Sequence, residues 1–399
     1  MNYLGDNAYL ALKVETFPGT PVVPDVFVPL IGETIETDIG YKADRRMKGL
    51  AWKSDDFLIG ERKHGGDIVV YADADSLGHF LNMTLLKGTT TGGATGYTHP
   101  FTVGEPDSYT IEIQKGPYAV RYFGVKADNL RLEFEDGLLK ITISVKTRGQ
   151  FSVGSLQEAL SGSVTSLKLA HNYDEKPNTG LVVGDIISIR LNNGAYQNIT
   201  LTSVNEDGET VGFEALSIAA DAGKPIYLKA KTPGYTGLSK PLTRGDTLVG
   251  VALTSTLADT AVASKVTATP IYNLVIDIKN NLFDAPATGS RDPYQLLTQT
   301  RESQITLSRL FETEDQKLAW LDSIKQAITT ITYGAVITGG STKEQLTIKF
   351  HKVKLLSNKQ ASNVGSLMQD EQSFEVLYDA SDAKALEISL VNKTAGTSY

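Results

Sequence analysis

Residues that could carry chemistry are sparse in this chain, and their spacing matches no reacting site. DADSLG, Asp73 to Gly78, sets acids at the first and third places and glycine at the sixth place of a calcium-loop spacing. The bidentate carboxylate that the ion requires at the twelfth place is Thr84, and Leu77 fills a ligand place, so the acids read as caps for a helix N-terminus. Five histidines (His64, His79, His99, His171 and His351) are scattered without metal-ligand spacing, and there is no cysteine for thiol chemistry, disulfides or metal ligation. GTTTGGATG lacks the Lys-Ser/Thr of a phosphate loop and follows a helix instead of opening one. Arg244-Gly245-Asp246 reads as a chance tripeptide, and the sequons at Asn82, Asn198 and Asn392 matter only in a secreted eukaryotic protein. No nucleophile elbow and no acid pair in an apolar pattern is present, so the chain reads as non-enzymatic and without a cofactor.

The surrounding elements are mostly strands. Short alternating runs rich in Thr, Ser, Gly, Val and Ile recur between turn signals, an all-β texture. The 399 residues, 41% of them hydrophobic, suffice for two or three cores, and a net charge of −8 leaves no basic footprint for gripping nucleic acid. No basic n-region with an apolar run opens the sequence, and no apolar stretch is long enough to span a membrane. The clearest hairpin is NLRLEFEDGLLKITISVKTRG. Leu130, Leu132 and Phe134 alternate with Arg131, Glu133 and Glu135, Asp136-Gly137 makes the turn, and Leu139, Ile141, Ile143 and Val145 return on one face.

Two helices are predicted, each after a strand. Leu77, Phe80, Leu81 and Leu85 form one stripe, with Asp75 or Ser76 as cap. Leu318, Leu321, Ile324, Ile328 and Ile331 form another, with a Thr313/Gln316 capping box. Strand, helix and strand pair thus recur in one order, which predicts a duplication. The expected organisation is a first lobe over 1–155, with an extended Pro-rich arm and an exposed charged loop over 41–57. A small inserted β-barrel over 160–235, a connector over 236–264 and a second lobe over 265–399 follow. The fold class is mainly β: two sandwich or barrel lobes with one helix each, plus the insert.

LALKVETFPGTP, the ETIET strand with its charged loop, YTHPFTVGEPDSYTIEIQKG, GVKADNLRLEFEDGLLKITISVKTRG and the closing LTIKFHKVKLLSNKQASNVGSLMQDEQSFEVLYDASDAKALEISLVN together resemble the major tail tube proteins of long-tailed, non-contractile bacteriophages. The resemblance covers about 1–155 and 265–392 and does not reach the insert. It implies a virion structural protein, made in the host bacterial cytoplasm, whose subunits close edge to edge into rings that stack around a channel. Its implied partners are the tape-measure protein, the tail terminator and tail-tip or baseplate proteins, with DNA passing through the lumen without specific binding.

On that reading Lys42, Arg45, Arg46, Lys53, Asp55 and Asp56 are ring-stacking candidates, and Glu133 and Glu135 are lumen-lining candidates. Two lobes per chain favour a trimeric ring of pseudo-sixfold form over a hexamer. The alternative is a monomeric β-sandwich that binds carbohydrate through Trp52 and Trp320. Open sheet edges discriminate the two readings, because a monomer must cover them and a ring uses them.

Overall fold

The computed structural model describes residues 8–43, 57–93, 95–151, 153–170, 180–205, 209–235, 238–262, 271–286, 288, 290–310, 324–337, 340–361, 369–395 and 399. In chain order the first half contributes β1 (Leu10–Val14), β2 (Glu36–Ala43), β3 (Phe57–Tyr71), α1 (Leu77–Thr84), β4 (Tyr109–Lys115), β5 (Tyr118–Glu135), β6 (Leu138–Thr147) and β7 (Gly149–Phe151). The second half contributes β8 (Thr247–Ala252), α2 (Ser255–Val262), β9 (Asn273–Lys279), β10 (Glu302–Leu310), β11 (Lys325–Val336), β12 (Lys343–Ala361), β13 (Gln369–Val376) and β14 (Leu386–Asn392).

Each half repeats the other's pairing. The long strand β5 gives its first part to an outer layer, beside β4 and β7, and its last part to an inner layer, beside β6. The inner layer continues from β6 to β3 and β2, while β1 extends the outer layer beyond β4. In the second half β12 pairs β11 and β14, then β13, and the sheet continues to β10 and β9, with β8 beyond β11. Both long strands carry a bulge where they change layer, between Ala127 and Asn129 and between Leu355 and Ser357. An extra residue there bends the strand and lets one segment serve two layers.

The halves join through β5 and β9, which makes one antiparallel sheet in the order β2-β3-β6-β5-β9-β10-β13-β12. Among the described residues the pairings branch without returning on themselves: β2 pairs only β3, and the last residues of β12 pair only β13. The sheet's apolar face, with Ile68, Val70, Leu130, Ile143, Ile276 and Ile305, meets the outer strands and α1 in one core. The hairpin follows its sequence, and Asp136 (φ 50°) and Gly137 (φ 82°) take the left-handed conformations of a two-residue turn.

Helix α1 is buried all round. Such a helix sits inside a core and presents no wet face. Its cap also differs from expectation. Asp73 accepts the amides of Asp75 and Ser76 at 3.0 and 2.9 Å, together with the Ser76 hydroxyl, and Ser76 makes no capping bond. Asp75 instead accepts from the Ser239 amide and hydroxyl. Loss of a capping carboxylate costs about 1–2 kcal/mol, so Asp73→Ala is expected to lower the unfolding free energy from a denaturant titration by that amount, with a lower midpoint. An unchanged midpoint would show the cap to be idle.

The second predicted helix is corrected in part. Ile328 and Ile331 belong to strand β11, paired on both sides, whereas Thr313, Gln316, Leu318 and Leu321 lie outside the described residues. The β-branched run ITTIT favours an extended chain, which suits a strand filling a sheet interior. The stretch 236–264 contains β8 and the helix α2, which packs on β8 and β11.

Between β7 and β8 six strands form a separate sheet, from Val153–Ser155 to Pro225–Leu228. The Leu156–Leu169 bridge and the Ala170 amide on the Ser155 carbonyl connect its outer strands, so it closes as a small barrel around its own core of Leu167, Ile187, Ile189, Leu201 and Ile226.

Candidate functional site

Three features stand out: the two sheet edges, the polar face between them and a buried ionic joint to the insert.

The first edge is β2. Its Thr34 end faces inward, since the Thr34 amide donates to the Asp67 carbonyl, and alternation turns the backbone groups of Ile35, Thr37 and Ile39 outward. Ile35 is already engaged: its amide donates to Glu33 Oε2 at 3.0 Å, and its carbonyl accepts from Lys115 Nζ at 2.7 Å and Tyr122 OH at 3.1 Å. From Thr37 onward no strand covers this edge among the described residues. The second edge is the end of β12, where Ser357, Asn358 and Lys359, among the described residues, pair β13 on one side only. Such rows of unpaired amides and carbonyls take up another strand unless they are protected.

The polar face lies opposite the core. Glu133 accepts from Arg131 Nη2 at 2.9 Å and Lys140 Nζ at 2.8 Å, and Glu135 pairs Lys140 at 3.0 Å. Partial burial pushes the Glu133 carboxyl up, but hydrogen bonds from Lys140 and Arg131 outweigh it and hold the group below the usual carboxylate range. The two glutamates raise Lys140 in turn. In the second half Glu371 and Glu375 are exposed on the same face. At the first edge an open cleft of about 530 Å³ brings Glu36, Asp38, His64, Asp67 and Lys146 together. No group of three His, Asp or Glu side chains among the described residues is arranged to hold a metal ion.

The ionic joint sits where the insert meets the outer layer. Arg121 donates from Nη1 and Nη2 to the Asp185 carboxylate at 2.5 and 2.7 Å, and from Nη2 to Glu112 at 2.8 Å, with all three side chains sealed from water. Tyr9 donates to Glu112 at 2.6 Å, and Lys231 lies 3.3 Å from it. Burial pushes the Tyr9 hydroxyl up, and the neighbouring Glu112 charge pushes it further. The cluster is a fastener.

Of the sequence-derived site residues, Glu133 and Glu135 lie on the polar face, and Lys42 is exposed near the end of β2, opposite Leu58. Arg45, Arg46, Lys53, Asp55 and Asp56 lie outside the described residues, as do Trp52 and Trp320. The tripeptide at Arg244–Asp246 forms a turn whose Arg244 side chain donates to the Tyr272 carbonyl. Asn82 and Asn392 are fully buried, holding Asp107 with Tyr109 and the Ala74 carbonyl respectively. Sequence reasoning missed Glu36, Lys359 and Arg121. A lone arginine between Val120 and Tyr122 in a run otherwise fit for burial was the available signal for the last.

A repeated β-sheet that leaves two strand edges open among the described residues offers those edges for pairing with further strands. Residues 5–376 match the family profile described as phage tail tube protein, and the chain belongs to that family. It is therefore a structural protein of the phage tail. No curated protein matches the chain. No helix among the described residues is long and apolar enough to cross a membrane.

Proposed function

We propose that this chain builds the hollow tail tube of a long-tailed, non-contractile phage. Copies close edge to edge into rings, and the rings stack. The observation that carries the reading is the pair of open edges at opposite ends of one continuous sheet, β2 and the end of β12. Because each chain already holds two equivalent lobes, three chains complete a ring of pseudo-sixfold appearance. The polar face of Glu133, Glu135, Glu371 and Glu375 then lines the lumen. There Glu133 and Glu135 offset Arg131 and Lys140, while Glu371 and Glu375 add negative charge, and this balance opposes the salt-sensitive attraction that would hold passing DNA. On this reading the insert, fastened to the outer layer, decorates the tail exterior. The tape-measure protein occupies the lumen during assembly, the terminator and tail-tip proteins close the two ends, and synthesis takes place in the host cytoplasm.

Negative-stain microscopy of concentrated purified protein tests this. Hollow tubes or rings with threefold symmetry and a sixfold outline are expected, and a monomer at every concentration overturns the reading. Lys42, Arg45, Arg46, Lys53, Asp55 and Asp56 are assigned to contacts between rings. Deleting residues 44–56 is expected to leave folded protein and rings but no tubes, and tubes of ordinary length from the deletion would remove the loop from that role.

A further inference from the structure

The joint between the two halves is a ready template for the joint between copies. Within the chain, Arg131 of β5 stands opposite Asp277 of β9, with Arg131 Nη1 3.6 Å from the Asp277 carboxylate. The registers carry this pair to the free edges. Aligning the bulges of β5 and β12 sets Asp128 on Leu356, and therefore Arg131 on Lys359. Across the sheet, Glu33 faces Ile68, which faces Ile143, which faces Leu130. In the second half Leu274 faces Leu307, which faces Gln372, which faces Asn358. Glu33 thus corresponds to Leu274, and Glu36 to Asp277. The basic member of the internal pair recurs as Lys359 on one free edge, and its acidic member recurs as Glu36 on the other.

We infer that β12 of one copy pairs antiparallel with β2 of the next in this same register, so that Lys359 stands opposite the partner subunit's Glu36. The inference rests on the ring-forming reading and specifies its contact. Its chemistry differs from the internal joint in a useful way. On the core side the internal joint matches Leu130 with Ile278 and Leu132 with Ile276. The corresponding positions at the free edge of β12 are Asn358 and Gln360, and Asn358 Oδ1 is buried with no hydrogen-bond partner among the described residues. An apolar joint is permanent, whereas polar edges keep a free copy soluble until its neighbour arrives. A shift by one residue would turn Lys359 to the core side, so the face alternation excludes it.

The chain has no cysteine, which makes cross-linking unambiguous. The Asn280 amide donates to the Asp128 carbonyl, which places Asp277 and Arg131 at a non-hydrogen-bonded site, where opposed Cα atoms lie about 4.5 Å apart, within disulfide reach. Glu36 and Lys359 are exposed, so their substitution leaves the fold intact, and assembly of the reduced variant verifies that. Oxidised Glu36→Cys/Lys359→Cys is expected to give covalently closed rings, at about ten times the yield of the off-register Glu36→Cys/Ser357→Cys. Lys359→Glu is expected to raise the concentration needed for assembly about fivefold, and adding Glu36→Lys to restore it. Tubes whose cross-links favour the off-register pair overturn the register and leave the ring-forming reading standing. A wild-type chain that never assembles overturns both.

Discussion

Arg121→Met is expected to destabilise the protein by about 3–5 kcal/mol, the largest effect of any single side chain at the joint. The substitution keeps the volume and removes the charge. Asp185 is then left a sealed carboxylate that has lost its cation, Glu112 falls back on Lys231 and the Tyr9 hydroxyl, and neither carboxylate can turn to water. Lys231 cannot replace it, because its ammonium reaches only Glu112, at 3.3 Å, and burial already lowers its pKa. The loss falls on a particular seam. Asp185 belongs to the insert and also accepts the Val182 amide, so freeing it loosens the barrel's entry loop. Because the barrel has its own core, the denaturant transition is expected to split, with the insert melting first. Adding Asp185→Asn and Glu112→Gln to Arg121→Met should recover part of the loss, because the stranded charges are gone. A single, unshifted transition in Arg121→Met would remove the fastener from the account.

The legible part of this molecule was what one strand or one turn encodes. Asp136-Gly137 announces its hairpin, and the alternation from Leu130 to Val145 names the buried face, because one side of that ribbon meets the core and the other meets water. Strand β11 shows where such reading fails. Ala327, Ile328, Thr329 and Thr330 are all buried, since this strand has covered surfaces on both sides, and α2 lies against it. With both faces apolar the period of two disappears, and isoleucines at 324, 328 and 331 imitate a helical stripe. The capping side chain was hard to choose for a different reason: Asp73, Asp75 and Ser76 each offer an oxygen, and the fold settles the choice, because Ser239 engages Asp75 and the Ser76 hydroxyl donates to Asp73, which accepts the turn's amides.

The candidate assembly site was less legible still. Glu36 and Lys359 look like ordinary solvated charges in the sequence, and nothing local marks them. Their meaning comes from registers that cross four strands in each half, together with the internal pair Arg131–Asp277 that supplies the comparison. Lobe repetition was visible as element order, whereas the edge it leaves open is a property of the whole sheet.

Acid is expected to weaken the fold through His79 well above the range where most carboxylates titrate. The ring lies in the core with α1, edge-on to Tyr109 and Tyr399, and burial lowers its pKa to about 3, with the Lys87 charge adding to the shift and the Asp25 charge opposing it. An unfolded chain returns the group to an ordinary value near 6.5. Between those limits the unfolded state binds a proton that the folded state refuses. The stabilisation is therefore fully present above about pH 6.5 and is lost as the pH falls towards 3, at about 1.4 kcal/mol per pH unit. Lowering the pH from 7.5 to 5 accordingly costs about 2 kcal/mol from this histidine. His99, lowered mainly by burial, adds in the same direction. Asp73, Asp277 and Glu344 are raised by burial and oppose it, because a folded-state proton bound more tightly gains stability in acid. The difference between wild type and His79→Gln isolates the one contribution. Its stability, measured by denaturant unfolding at pH 7.5, 6.5, 5.5 and 5.0, is expected to fall less steeply with acid by about 1 kcal/mol per pH unit or more. Parallel pH profiles for the two proteins would mean that His79 is hydrated in solution and that the core beneath α1 opens to water.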